Sequence, residues 1–329
     1  MHGRIQLQGP FDIKYILDFS NGIPIPIDLL PKQRIDGRIM VEGRERCSIG
    51  YGKQENRGAY GSIHRIKRIP PTGKELCVKS PHSPTFSIIP EAILQWHASE
   101  LLKKAGIHGA VPHIYDIFQY AGETRFTMDF IDGCSALEAV TNASDPDGIW
   151  LKILAQTSLI LGYLEERIHL DHRDLKADNL WIRPIPIDYT LQVGGVTWKL
   201  KAPFQVVLLD FGFACLGNDE GNAIVSLSDG IVPKIDPCPK EGRDLFQLIA
   251  SVWSIPVIRE RASKEIQDVM EGLLKFKNTS YVNIVKQTSH THWIYLAVSD
   301  VRFRHPPLHP MSLLLKLSSH FPLVGLYRE

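Results

Sequence analysis

Residues 172–179 read His172-Arg173-Asp174-Leu175-Lys176-Ala177-Asp178-Asn179, and the rest of the 329-residue chain is read outward from them. They follow an apolar run, Ile149 to Ile168, whose spacing predicts a buried helix. The string sets a carboxylate, a lysine two residues on and an amide at 179 along one loop. Such a spacing lets a carboxylate meet an acceptor hydroxyl while an amide, one loop turn later, reaches a metal on bound phosphates. The plain alternative is a solvated charged loop, and an eight-residue coincidence argues against it.

Downstream, Val206-Val207-Leu208-Leu209 predicts an apolar strand that ends in Asp210-Phe211-Gly212, with a carboxylate for a metal and a glycine to let the backbone turn. Upstream, Asn56-Arg57-Gly58-Ala59-Tyr60-Gly61-Ser62-Ile63 precedes an alternating run, Ile63 to Ile66. Pro70-Pro71-Thr72-Gly73 reads as a turn and Leu76-Cys77-Val78-Lys79 as the returning strand. Pro90 and Glu91 open an amphipathic helix that Gly106 stops. Strand-like runs at His113 to Phe118 and Arg125 to Ile131 end in an Asp132-Gly133 turn. Two strands flank Gly194-Gly195 as a hairpin. From Asp244 onward the pattern is helical.

Taken in order, these motifs resemble the eukaryotic-type protein kinases, over about residues 47–255. The resemblance implies an α+β, bilobal protein-kinase-like fold: a small β-rich N-lobe with one long helix, and a larger, mainly helical C-lobe. The corresponding boundaries are an extension of uncertain structure at 1–45, an N-lobe at 46–131 and a C-lobe at 132–329. It implies an ATP-dependent serine/threonine kinase that uses Mg²⁺ and acts on protein substrates. Asp174 looks like the catalytic base, Lys176 like the lysine that contacts the γ-phosphate, and Asn179 and Asp210 like the metal ligands. Asn56 stands where the family's first loop glycine would be, and Gly58, Gly61 and Ile63 complete the loop. Lys79 is similar to the lysine that grips the α- and β-phosphates. Its carboxylate partner is Glu91, with Glu100 as the alternative. Thr127 to Gly133 resembles the hinge, with Met128 beside the adenine and the Asp129 to Ile131 backbone hydrogen-bonding to it. Asp244 is similar to the aspartate that braces the catalytic-loop backbone. Arg173 is similar to an arginine that in relatives pairs with a phosphorylated residue, for which only Ser226 and Ser228 are available between Gly212 and Asp244.

The chain departs from that family in lacking A-P-E between Gly212 and Asp244, in the long insertion from Arg183 to Phe204, and in a short tail. The first departure leaves room for a small-molecule kinase of the aminoglycoside-phosphotransferase type, and a pseudokinase scaffold is a third reading. Lys and Arg number 37 against 36 for Asp and Glu, so no net basic field invites nucleic acid or an anionic membrane. No apolar run is long enough for a signal peptide or a span, which predicts a soluble cytoplasmic protein. Five scattered cysteines without C-x-x-C spacing predict free thiols in a reducing cytosol, with no zinc site and no disulfide framework. Nothing in the sequence sets the oligomeric state.

Overall fold

The computed structural model describes residues 4–7, 15–18, 30–41, 43–57, 61–83, 88–217, 223–226, 238–240, 242–276, 279–287 and 308–328. It divides into two compact units. One holds Met1–Glu100 with Pro112–Ile131, and the other holds Leu101–Val111 with Asp132–Glu329.

In the first unit β1 (Arg4–Leu7) and β2 (Tyr15–Asp18) pair antiparallel. The main body is a closed barrel of seven strands. They are β3 (Lys32–Gln33), β4 (Arg38–Val41), β5 (Arg44–Arg57), β6 (Gly61–Ile69), β7 (Leu76–Pro81), β8 (Ile114–Tyr120) and β9 (Glu123–Asp129). Around the barrel the order is β3-β4-β5-β6-β7-β9-β8. One parallel contact, Lys32 opposite Gln119, closes it and removes the open sheet edges. Inward-facing residues of strands far apart in sequence, Ile39, Cys47, Ile49, Ile66, Leu76, Val78 and Phe118, fill the core. Asp116 is 2% exposed yet fully engaged, by Arg46 at 3.1 Å, by Arg68 at 3.0 Å and by the Thr127 hydroxyl, which donates at 2.9 Å. A buried charge is tolerated only when partnered in this way. Helix α1 (Ile89–Lys104) carries Glu91 in its first turn within this unit; its last residues, from Leu101, belong to the second unit and end at Gly106, whose φ of +83° lets the Ile107 N–H return to the Leu102 carbonyl.

In the second unit β10 (Cys134–Ser135) leads into α2 (Ala136–Asn142), where the Ser135 side chain caps the Glu138 N–H. Helix α3 (Pro146–Ile168) starts on an Asp145 cap and a first-turn proline. Its middle is buried on every side, and it stops at His169 in the left-handed region, φ 51°. Then come β11 (Leu170–Asp171), β12 (Leu180–Arg183), β13 (Ile187–Val193), β14 (Val196–Ala202), β15 (Gln205–Leu208), β16 (Cys215–Gly217) and β17 (Ala223–Ser226). Helices α4 (Arg243–Trp253), α5 (Pro256–Arg261) and α6 (Lys264–Leu273) follow. The short strands β18 (Lys275–Phe276) and β19 (Thr279–Ser280), helices α7 (Val282–Gln287) and α8 (Pro310–His320), and strand β20 (Leu326–Arg328) complete the unit.

Two expectations need correction. The bilobal kinase-like architecture is not what forms: the first unit is a closed seven-stranded barrel, and the second is not mainly helical. Among the described residues it holds three three-stranded sheets, β10-β12-β15, β11-β16-β17 and β13-β14-β20, besides the β18-β19 pair. The physical reason lies in stretches without helical periodicity. Ile39, Cys47 and Ile49 face a barrel core, and Ile187–Val193 alternates buried with exposed residues along its whole length. The thiols also differ from expectation, because Cys215 and Cys238 form a disulfide while Cys47, Cys77 and Cys134 are free. No C-x-x-C spacing marks it, since the fold brings together cysteines 23 positions apart.

Candidate active site

The hydrogen-bonding register of β12 and β15 sets where Asn179 and Asp210 lie. Leu180 pairs with Leu208 antiparallel, so the chain enters β12 from Asn179 at the same end where it leaves β15 toward Asp210. The Leu209 N–H donates to the Asn179 carbonyl at 2.9 Å and secures that end. Asp210 is held at a φ of +62°, a conformation unfavourable for a side chain bearing Cβ, and its Oδ1 lies 3.4 Å from the Gly212 N–H. Asn179 spends its amide nitrogen on Asp174, donating to the backbone carbonyl at 2.8 Å and to Oδ2 at 2.9 Å. Its oxygen is therefore the end it can offer to a cation.

Asp174 is 5% exposed. Burial pushes its carboxyl above the ordinary range, Lys176 opposes that shift and the Asp210 charge adds to it. The Lys176 ammonium lies 3.0 Å from each Asp174 oxygen. The turn before it is fixed from behind by α4. Asp244 accepts the N–H groups of His172 at 2.7 Å and Arg173 at 2.8 Å, and the Gln247 amide donates to the Arg173 carbonyl at 3.0 Å. Arg173 has a φ of +65°, so both its peptide groups are pinned in a strained conformation. His172, fully buried, faces the Leu209 carbonyl through Nε2 at 2.9 Å and packs on Phe211 with ring centroids 5.0 Å apart.

In the first unit Lys79 lies opposite Ile63 across β6 and β7, and its ammonium forms an ion pair with Glu91 of α1. Glu100 faces His113 instead, at 3.4 Å. Gly61 sits where a Cβ would come within 2.6 Å of the Ser80 carbonyl, so β6 packs this closely on β7 only without a side chain there. Gly58 lies outside the described residues, and Asn56 is described only as backbone opposite Ile63. Met128 and Ile131 are half-buried at the end of β9. The Asp129 side chain is occupied structurally, accepting from the His113 N–H and the Tyr115 hydroxyl and pairing with Lys74 at 3.3 Å. Its backbone is engaged too, the N–H donating to the His113 carbonyl at 3.0 Å and the carbonyl accepting from the Cys77 thiol at 3.8 Å. Ser226 is described only as backbone in β17, and Ser228 lies outside the described residues.

The contacts of Gln95, which stands where kinase relatives usually place an apolar residue, the role of Asp171 and the disulfide were not assigned from the sequence. Gln95, 2% exposed, donates to the Pro112 carbonyl at 2.9 Å and to the Met128 sulfur at 3.4 Å. Asp171, just ahead of the turn, pairs with Arg243 at 3.2 Å, and the Cys215–Cys238 disulfide lies beside it. Only an acidic residue inside the buried stretch Leu170–Asp171 could have pointed to Asp171.

No family model matches the chain. It is 25% identical over 97 residues to a protein described as "Probable kinase 098L" of Invertebrate iridescent virus 3, covering 30% of this chain and 19% of that protein. It is 25% identical over 159 residues to "Serine/threonine-protein kinase pak-1" of Caenorhabditis elegans, covering 45% of this chain and 26% of that protein. The chain thus matches about a quarter or less of the length of these relatives. Among the described residues no helix is long and apolar enough to cross a membrane. At this identity and coverage the similarity reaches a kinase-like family and a kinase-type phosphotransfer, and goes no finer.

Proposed function

We propose that the chain is a Mg²⁺·ATP-dependent kinase that moves the γ-phosphoryl group onto Ser or Thr hydroxyls of protein substrates. The observation that carries this reading is the convergence of Asp174, Lys176 and Asn179 on one another, with Asp210 leaving β15 at the end where Asn179 enters β12. A carboxylate and an amide oxygen at one end of a strand pair are a hard-donor set that fits Mg²⁺, so Asp210 and Asn179 would hold the metal. The chemistry such a metal would supply there is neutralisation of charge on the phosphates.

Asp174 would orient the acceptor hydroxyl and take its proton, and Lys176 would balance charge on the transferred group. Lys79, kept in place by Glu91, would hold the α- and β-phosphates. The test is full-length protein with labelled ATP and Mg²⁺, offered a generic protein substrate and small alcohols. Label on Ser or Thr of the protein is the expected result, and Lys79→Met and Asp210→Asn should each cut it by at least about a hundredfold. Label only on small alcohols would replace the protein substrate with a small molecule. No transfer, or transfer untouched in both variants, would remove the assignment.

A further inference from the structure

Asp171 stands one residue ahead of the turn that carries Asp174, and it is 3% exposed. Three elements meet on it. β11 pairs it with Cys215 of β16. Its carboxylate accepts the Lys240 N–H at 2.9 Å. The same oxygen forms an ion pair at 3.2 Å with Arg243, the first residue of α4, itself 2% exposed. The next residue of α4 is Asp244, which holds the His172 and Arg173 amides. The contacts form a circuit: Asp171 fixes Arg243, Arg243 sets the start of α4, and α4 aims Asp244 back at the two residues that follow Asp171.

Within that circuit two buried carboxylates, Asp171 and Asp244, face two buried guanidinium groups, Arg173 and Arg243, and Arg173 acts electrostatically on both carboxyls. Removing one negative charge leaves two buried cations against a single anion. A low-dielectric interior relieves such an imbalance by displacing a group, and the elements that carry these charges are the start of α4 and the catalytic turn.

We propose that Asp171 is a positioning residue: its buried charge anchors Arg243, so that Asp244 keeps the His172–Arg173 backbone in the conformation that presents Asp174. This charge belongs to the chain itself, so setting the turn does not wait on phosphorylation of Ser226 or Ser228. The inference rests on the phosphotransfer reading of Asp174 for its consequence in turnover. Its consequence for the backbone stands independently of that reading.

The experiment compares full-length wild type with Asp171→Asn, Asp171→Glu, Asp174→Asn and the double variant Ser226→Ala/Ser228→Ala. It measures kcat and KM for Mg²⁺·ATP and amide hydrogen exchange at His172 and Arg173. Asp171→Asn keeps the shape and loses the charge. It is expected to lower kcat about tenfold with KM within about twofold, because misplacing a reacting group costs turnover rather than binding. It should also speed exchange at both amides, whereas Asp171→Glu recovers most of kcat and the double serine variant matches wild type.

Exchange at His172 and Arg173 unchanged by Asp171→Asn overturns the proposal, as does a lower melting temperature with unaltered kcat per folded molecule. A large loss of kcat in the double serine variant overturns its phosphorylation clause. Should Asp171→Asn not fold, Arg243→Lys, which keeps charge and loses reach, is expected to speed the same exchange, and unchanged exchange there overturns the proposal equally. A wild type as inactive as Asp174→Asn would instead sink the phosphotransfer reading, and the exchange comparison would still decide the role of Asp171.

Discussion

Asp171 carries a carboxyl that burial pushes up to about 6, against the pull of the Arg243 guanidinium and with the Asp244 charge adding to the rise. Arg173 and the Lys240 N–H also face it, and the neighbouring Cys215–Cys238 disulfide does not titrate. The folded chain binds this proton more tightly than the unfolded chain does. Its contribution to stability is therefore largest below the ordinary carboxylate range and declines as pH rises toward about 6, staying level above that. Turnover should run the other way. Below about pH 6 a neutral Asp171 no longer balances Arg243, so kcat is expected to fall through that value, and the kcat–pH profile of Asp171→Asn should lack this limb. An identical acid limb in wild type and variant would assign it to another group, Asp174 first. At this scale the sequence is legible where chemistry is local. Asp174, Lys176 and Asn179 lie within six positions and meet one another, and Lys79 and Glu91 lie twelve apart on adjoining elements. Asp171 and Gln95 were not legible, because each acquires its role from a partner far along the chain, Arg243 in one case and Pro112 with Met128 in the other.

Elements were legible where a single segment can announce itself. Helix α3 shows its cap, its first-turn proline and a long apolar period, and the β13–β14 hairpin shows its Gly194-Gly195 turn. Strands β3 and β4 could not be read, since two to four residues give no period and their pairing is settled by distant strands, as with Lys32 against Gln119. The β6–β7 pair offers a test of how tightly an element positions the site. Gly61→Ala would press a methyl against the Ser80 carbonyl at 2.6 Å, a backbone atom that cannot swing aside. An overpacked contact of this kind costs about 1–3 kcal/mol. Thermal unfolding should show that loss, with weaker Mg²⁺·ADP binding by calorimetry because Lys79 lies two positions further along the same ladder. A variant with wild-type stability and affinity would show that the strands separate easily at this point.

For the whole molecule, an ordered set of short motifs brings a few side chains together without setting the architecture. The motifs fix the termini of a few strands and loops, whereas barrel closure depends on stretches that carry no motif, Lys32 to Val41 above all. Distant similarity is equally coarse, since 25% identity over 97 and 159 residues reaches a kinase-like family and goes no finer. The Cys215–Cys238 bond has a consequence for the chain as a continuous thread. It ties a lasso whose noose runs from just after the Asp210-Phe211-Gly212 turn to just before α4. A backbone break anywhere inside that noose leaves the two ends in one covalent piece. After limited proteolysis within residues 216–237, the chain should still migrate near 37.1 kDa without reductant. With a dithiol it should separate into fragments of roughly two-thirds and one-third of that mass, as loop closure by a disulfide requires. Separation without reductant would mean the noose is open in the isolated protein. A closed noose means that cutting the thread there does not part the loop that carries Asp174 from the helix that aims it.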